Sequence, residues 1–269
     1  MGKIRVLLLI GVFLSGFSSH NAAARGSVDL INNSILFPMA FTQYSDFLNE
    51  NTVISGTAED EMIKRVGGRI AQAAEKLLAS EGKPGSLNEY KWEFTLVKDN
   101  AVNAWAMPGG KVVIYSGILP VAETEAGLAV VMGHEIAHAV LNHGLKRLSA
   151  EVLQQIGALG LNILTADQSP QARALIMMAY GVGSTMAGTL PYGREHENEA
   201  DRYGLILTAA AGYNPDEGAA FWERMEAATG GYKTPELLST HPSDKNRIKN
   251  LKNYSSEAKK RAAALGVNF

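Results

Sequence analysis

The pentad His134-Glu135-Ile136-Ala137-His138 lies inside an almost entirely apolar stretch and limits how this chain can fold. All other residues from Ala126 to Leu141 are apolar or glycine, a composition typical of a buried helix. Ionisable side chains are costly there unless they are paired or bind a metal. Residues four apart share one helix face, so both imidazoles can hold one zinc ion while the glutamate reaches a water on that ion. The alternative is a pair of core histidines with satisfied hydrogen bonds.

The composition limits the classes of function. Of the 269 residues, 46% are hydrophobic and 19% are charged, which suits a globular protein with a sizeable core. The formal net charge is −2, and removing the first 24 residues makes it more negative, because they contain two basic residues and no acid. This balance argues against nucleic acid as the main partner. The chain has no cysteine, so a disulfide framework and a thiolate metal site are both excluded.

The N-terminus is typical of a secretory signal peptide. A basic start and the apolar run 6–17 precede Ala22-Ala23-Ala24, which offers a cleavage point. The run is too short to span a bilayer comfortably, although an uncleaved anchor is the alternative. We therefore predict a signal peptide over 1–24 and a single exported domain over 25–269. The periplasm of a Gram-negative bacterium is the predicted location, with membrane association as an option.

Hydrophobic periodicity predicts a helix and a small sheet before the pentad. The helix runs from about Ala58 to Ser80, with Thr57 as its cap. Three strands follow, at residues 92–97, 101–106 and 111–116, with a turn at Pro108-Gly109-Gly110 between the last two. One strand can present an edge to an extended peptide, or the sheet only covers the pentad helix.

The end of the pentad helix carries a third histidine. We predict that the helix is capped by Thr124 and ends near His143-Gly144. The zinc pattern HExxHxxGxxH is excluded, because it needs glycine at 141 and histidine at 144, where this chain has leucine and glycine. We therefore interpret His143 as a cation that acts on the terminal carbonyls of the helix.

A long uncharged run, residues 174–193, separates the pentad helix from an acidic segment. Its length is that of a membrane span, but glycine, serine, threonine and proline interrupt it. We favour a buried helix that closes over the active site, and the alternative is a flap that touches a membrane.

The acidic segment 194–205 can supply the rest of a metal site. A catalytic zinc with two histidine ligands needs one more protein ligand and a water. Glu197 and Asp201 lie four apart on one helix face, so one can bind the metal while the other orients a ligand histidine. Spacing does not choose among the acids, and the rival candidates are Glu195, His196 and Glu199.

Four motifs together carry a family resemblance that covers about residues 55–252. They are the pentad, Glu197-Asn198-Glu199-Ala200-Asp201, Asn103-Ala104-Trp105-Ala106 with the following Pro108-Gly109-Gly110, and Ala211-Gly212-Tyr213-Asn214-Pro215. With them the chain resembles the zinc metallopeptidase family of the CAAX prenyl endopeptidases, HtpX and the BepA-like envelope proteases. The resemblance implies an α+β, mainly α-helical, zincin-like fold with the small sheet packed beside the pentad helix.

The resemblance also implies roles for individual residues. It implies one Zn²⁺ per chain, with His134, His138 and Glu197 as metal ligands and Asp201 as the partner behind them. It implies that the strand of Asn103, Ala104, Trp105 and Ala106 borders the substrate cleft. In the family, a His-Pro segment and a later arginine lie beside the zinc. We therefore expect His241 and Arg247 to stabilise the oxyanion, or His241 to fill the open zinc position in a resting form. A surface-loop histidine is the alternative.

We predict from these observations an ATP-independent zinc metalloendopeptidase that hydrolyses misfolded or envelope proteins, with Glu135 as the general base. Protein or peptide substrates are the expected partners, without nucleic acid, and 174–193 is an optional peripheral membrane contact. One alternative is a zinc-stabilised, largely latent chaperone or binder of envelope proteins. Another is a zinc hydrolase that acts on a non-peptide amide.

Overall fold

The computed structural model describes residues 33–184, 190–228, 235–241 and 246–269. The predicted signal peptide, 1–24, lies outside these ranges. The described residues form a mainly helical α+β fold with a small sheet, as predicted. The helices are α1 (Asn33–Glu50), α2 (Ala58–Ser80), α3 (Leu119–Ala122), α4 (Glu125–Val140), α5 (His143–Leu164), α6 (Pro170–Ser184), α7 (Leu190–Ala210), α8 (Glu217–Ala227), α9 (Glu236–Thr240) and α10 (Arg247–Ala264). The strands are β1 (Val53–Ile54), β2 (Glu93–Val97), β3 (Ala104–Met107) and β4 (Lys111–Tyr115).

The sheet has the strand order β1-β2-β4-β3, so β3 forms one of its edges within the described residues. β2 and β4 are parallel, and the other two pairs are antiparallel. Gly109 and Gly110 turn the chain between β3 and β4 at φ values of 83° and 94°, which glycine adopts without strain. The predicted strand 101–106 begins only at Ala104, because the Asp99 side chain accepts a hydrogen bond from Ala101 N and forms a turn there.

Helix α1 occupies a region for which the sequence predicts only an irregular or partly helical segment. Its apolar residues do not repeat with a strong helical period, but they pack on the sheet. The Tyr44 hydroxyl lies 2.5 Å from Thr95 Oγ1, and the Phe47 ring meets Trp105 edge-on with centroids 4.9 Å apart. Tertiary contacts therefore stabilise a helix that its sequence only weakly encodes.

The pentad helix α4 lies at the centre of the core. Every residue from Gly127 to Ala137 is buried, and Thr124 caps the helix by accepting a hydrogen bond from Gly127 N at 3.0 Å, as predicted. Helix α2 has its predicted bounds and packs against α4. Helix α7 crosses α4 at glycine, because a Cβ atom on Gly204 would lie 2.8 Å from His134 N. This close approach brings the acidic residues of α7 next to the pentad.

Helices α5 and α6 pack on each other as a hairpin. The favoured prediction for 174–193, a buried helix, is wrong for the described part, since no residue from 170 to 183 is buried. The uncharged side chains of α6 instead pack along α5 or face outward. None of the helices in the described ranges combines the length and the hydropathy that crossing a bilayer requires.

Candidate metal centre

Four side chains from three parts of the fold converge beside the pentad. His134 and His138 come from α4, Glu197 from α7, and His241 from the residue that follows α9. One ligand atom from each lies within 4.8 Å of the others. The predicted third ligand is therefore close to the histidine pair, although it is 59 residues away from His138 in the sequence.

The separations within this donor cluster fit a tetrahedral zinc ion. Nε2 of His134 lies 3.0 Å from Nε2 of His138, 3.2 Å from Nδ1 of His241 and 3.3 Å from Oε2 of Glu197. Oε1 of Glu197 lies 3.4 Å from His138 Nε2 and 3.0 Å from His241 Nδ1. Zinc–ligand bonds of 2.0–2.1 Å in a tetrahedron place the ligand atoms about 3.3 Å apart. Three imidazoles and a carboxylate are also donors that zinc accepts.

Asp201 and Arg247 support the cluster from behind. Oδ1 of Asp201 lies 3.0 Å from Nδ1 of His134, an electrostatic contact whose direction is too poor for a linear hydrogen bond. Nη2 of Arg247 lies 2.7 Å from the same oxygen and 3.8 Å from Glu197, and its Nη1 donates to the His241 carbonyl at 3.0 Å. The guanidinium also stacks 3.4 Å from the centre of the Trp222 ring. Asp201 therefore contacts both His134 and Arg247.

Glu135 is buried beside the cluster and is not one of its donors. It is only 2% exposed, and its Oε1 lies 3.5 Å from Nε2 of His241. Burial raises the pKa of Glu135, although His241 and His134 partly oppose that shift. A hydrogen bond from the backbone N–H of Ala106 also reaches its carboxylate. A carboxylate with a raised pKa next to a cluster of potential metal ligands suits proton transfer.

The predicted substrate strand runs alongside this carboxylate. Because side chains alternate along a strand, Ala104 and Ala106 join the core with α4, whereas Trp105 packs on Tyr44 and Phe47 of α1. The Ala106 N–H points away from β4 toward Glu135. The edge of β3 thus faces the candidate metal centre with its backbone.

The profile of peptidase family M48 matches residues 64–255, which include every residue of the donor cluster. The chain belongs to peptidase family M48.

Three relatives agree with this assignment. The mitochondrial metalloendopeptidase OMA1 of Schizosaccharomyces pombe is 34% identical over 193 residues, which are 70% of this chain and 53% of the relative. The mitochondrial metalloendopeptidase OMA1 of Bos taurus is 36% identical over 184 residues, 66% of this chain and 35% of the relative. The beta-barrel assembly-enhancing protease of Escherichia coli is 31% identical over 171 residues, 62% of this chain and 35% of the relative. The chain thus spans about half or less of the length of these relatives.

The ionisable groups of the donor cluster shift one another's pKa values. Burial alone would lower the pKa of His134, but its contacts with Asp201 and Glu197 raise it to about 9 among the protein groups alone. Burial and the neighbouring His134 lower the pKa of His138 well below its usual value. His134 and His241 hold the pKa of Glu197 far below normal in spite of burial. Glu197 is therefore an anion at neutral pH, as a metal ligand requires.

The rival acids and the third histidine occupy different places from those the sequence suggested. Glu195 is exposed, whereas His196 and Glu199 lie around His143. The interpretation of His143 as a helix-end cation is wrong, because α4 already ends at Val140 and His143 begins α5. Burial lowers the pKa of His143, and its ring contacts His138 and Glu199. The carbonyl of Ala139 accepts a hydrogen bond from the Tyr90 hydroxyl instead.

Proposed function

We propose that this chain is a zinc-dependent metalloendopeptidase, with His134, His138 and Glu197 as the metal ligands. The observation that supports it most is the near-tetrahedral donor cluster. A buried glutamate that is not one of the donors lies beside it. A zinc ion held there would supply a Lewis acid that polarises both water and a substrate carbonyl. Membership of family M48 agrees with this proposal, and so do the relatives, which are metalloendopeptidases and a protease.

Glu135 is the proposed general base. Its carboxylate would accept a proton from the attacking water and deliver that proton to the amine that leaves. Burial raises its pKa, which favours a carboxyl that holds the proton between the two transfers. In the described conformation its Oε1 makes no hydrogen bond, so this oxygen has an acceptor position for water.

The substrate is proposed to be an extended polypeptide that pairs with β3. The sheet edge beside Glu135 offers main-chain hydrogen bonds, which demand an extended backbone but no particular side chains. Misfolded or envelope proteins are therefore suitable substrates. We keep an exported, periplasmic location as part of the proposal. The relatives divide on this point, because two are named as mitochondrial and one comes from a bacterium.

His241 and Arg247 are proposed to control access to the cluster. His241 lies where a fourth metal ligand would be, so it fits the resting form in which this residue closes the site. Arg247 is held by Asp201 and by the His241 carbonyl, so in this conformation it positions those groups rather than facing a substrate. The same arrangement favours the second candidate function, a latent zinc-stabilised binder, if His241 never moves away.

Digestion of an unfolded protein tests the proposed activity. Purified protein loaded with zinc should cleave casein, and His241→Ala should cleave faster if that histidine closes the site. Glu135→Gln should retain zinc and lose at least about 10³-fold in rate, since both proton transfers are lost. Glu125→Gln, the same change at the half-exposed start of α4, is the matched control and should cleave normally. Equal cleavage by Glu135→Gln would remove the proposed base. Client binding without cleavage by wild type and His241→Ala would favour the binder.

The α5–α6 hairpin is proposed to contact a lipid surface. Only Asp167 and Arg173 are charged between residues 152 and 193, and many exposed large apolar side chains of the described residues lie here. They are Leu153, Ile156, Leu159, Ile163, Leu164, Leu175, Met178 and Val182. A protein partner would usually meet a charged or polar rim, whereas an uncharged hairpin suits the acyl region of a bilayer.

Flotation with phospholipid vesicles tests this contact. Wild type should float with the vesicles, and Ile163→Glu with Leu164→Glu should weaken flotation by at least tenfold. Ile35→Glu with Met39→Glu places the same charges on exposed apolar positions of α1 and is the control. A wild type that stays with the soluble fraction, or that instead forms a dimer through this hairpin, would contradict the proposal.

A further inference from the structure

His143 and Glu199 form a connected pair directly behind the proposed ligand His138. The Nδ1 atoms of His138 and His143 lie 2.9 Å apart, and Nε2 of His143 lies 3.0 Å from Oε2 of Glu199. The other ring nitrogen of His138, Nε2, lies 3.0 Å from His134 Nε2 inside the donor cluster. His138 therefore directs one nitrogen into the cluster and the other toward His143.

The direction of each hydrogen bond follows from the last partner in this chain. An ionised carboxylate only accepts hydrogen bonds, so Nε2 of His143 carries a proton and donates a hydrogen bond to Glu199. A neutral imidazole has a single N–H, so Nδ1 of His143 is bare and accepts from the Nδ1–H of His138. Nε2 of His138 is then bare as well, and its lone pair points into the cluster. This is the tautomer that binds a metal.

Two further features fix His143 in this position. The His196 ring stacks on it almost parallel, with centroids 4.2 Å apart and planes 8° apart, which restricts rotation of the ring. On an unbroken helix, a residue five positions after His138 would lie about 140° around the axis from it. Asn142 takes a left-handed conformation, with φ of 56°, between α4 and α5. The break in the helix returns His143 to the side of His138.

We propose that His143 and Glu199 are positioning residues that set the ring orientation and the tautomer of His138 for metal binding. The inference rests on the proposed function, because it assigns a role behind one of the proposed zinc ligands. Partners of this kind typically change metal affinity by about 10–100-fold when they are removed. The pair also joins the two ends of the segment that contains the α5–α6 hairpin, since His143 begins α5 and Glu199 lies on α7.

Zinc affinity and histidine NMR together test the pair. Glu199→Ala removes the acceptor at a half-exposed position, where folding should tolerate the change. Glu195→Ala makes the same charge change one turn earlier on α7, at an exposed position, and is the matched control. Competition with a chelator should show zinc affinity at least about tenfold weaker for Glu199→Ala and within twofold of wild type for Glu195→Ala. Glu199→Gln, which keeps an uncharged acceptor, should fall between them.

Nitrogen NMR of the metal-free protein reads the tautomer without any cleavage assay. In wild type the His138 proton should reside on Nδ1, and in Glu199→Ala the two tautomers should mix. Equal zinc affinity of Glu199→Ala and Glu195→Ala, or a His138 proton on Nε2 in wild type, would overturn the inference. A protein that binds zinc and shows the expected tautomer but cuts no polypeptide would contradict the proposed function alone.

Discussion

The two pentad histidines are supported from behind in different ways. His134 meets Asp201 directly, and that carboxylate is 5% exposed and paired with the buried Arg247. His138 reaches its carboxylate only through a second imidazole, and Glu199 at the end of that chain is 47% exposed. One support is therefore short and buried, and the other is long and open to solvent at its far end.

The site therefore separates a support that contributes to stability from one that contributes mainly to metal binding. Breaking a buried ion pair strands a charge in the core, which costs far more than losing an exposed pair that water screens. The Asp201 support should therefore affect both folding and metal affinity. The Glu199 support should affect metal affinity with little change in folding.

Asp201→Ala should have the largest effect, because Arg247, only 4% exposed, loses its nearest carboxylate. We expect the free energy of unfolding to fall by about 3–5 kcal/mol, and zinc affinity to fall by about 10–100-fold. Glu199→Ala should cost less than about 1 kcal/mol of stability. Urea unfolding of the metal-free proteins and chelator competition measure the two quantities. Equal losses of stability in both variants would contradict the distinction between the buried and the exposed support. Adding Arg247→Met to Asp201→Ala should recover part of the loss.

Gly204→Ala should have the next largest effect, because it acts on the crossing of α4 and α7. The new methyl would lie 2.8 Å from the backbone nitrogen of His134, so the helices must separate. We expect a loss of about 1–3 kcal/mol of stability, together with weaker zinc binding as Glu197 and Asp201 move away. Gly193→Ala is the control on the same helix, since a Cβ there has no neighbour within 4 Å. It should be neutral or slightly stabilising, and a similar loss in both variants would show that the crossing is unimportant.

The stability of the metal-free protein should depend on pH in opposite directions for the two supports. The pKa of His134 is raised to about 9, so its contribution to stability is present below about 6.5 and is lost as the pH rises through 9. The pKa values of His138 and His143 are lowered by burial, so their contributions are present above about 6.5 and are lost as the pH falls. Thermal unfolding in EDTA between pH 5 and 10 measures both limbs. A histidine NMR titration with His134 neutral at pH 7.5 would contradict this assignment.

Much of the site could be predicted from the sequence, because its spacing is that of a helix. His134, Glu135 and His138 sit on one short helix, and Glu197 and Asp201 repeat the four-residue spacing on another. Pattern alone could not choose Glu197 over its neighbours, and the family resemblance supplied that choice. The structure brings Glu197 to the histidine pair through the glycine crossing of α4 and α7.

The role of His143 could not be predicted from the sequence, for a physical reason. Its position behind His138 depends on one left-handed residue, Asn142, and on the stacking of His196 from a distant helix. Neither leaves a period in the sequence, although Asn tolerates the left-handed region better than most residues. The exposure of α6 could not be predicted for a related reason. An uncharged run has the same sequence pattern whether or not the rest of the protein covers it.

The most direct test of the metal centre is anomalous X-ray diffraction at the zinc edge from crystals of the zinc-loaded protein. We expect one strong peak about 2.0–2.2 Å from His134 Nε2, His138 Nε2 and a Glu197 oxygen. That peak should disappear in Glu197→Ala crystals grown at the same zinc concentration. A peak bound elsewhere, or one that persists at full strength without the Glu197 carboxylate, would contradict the account of the site.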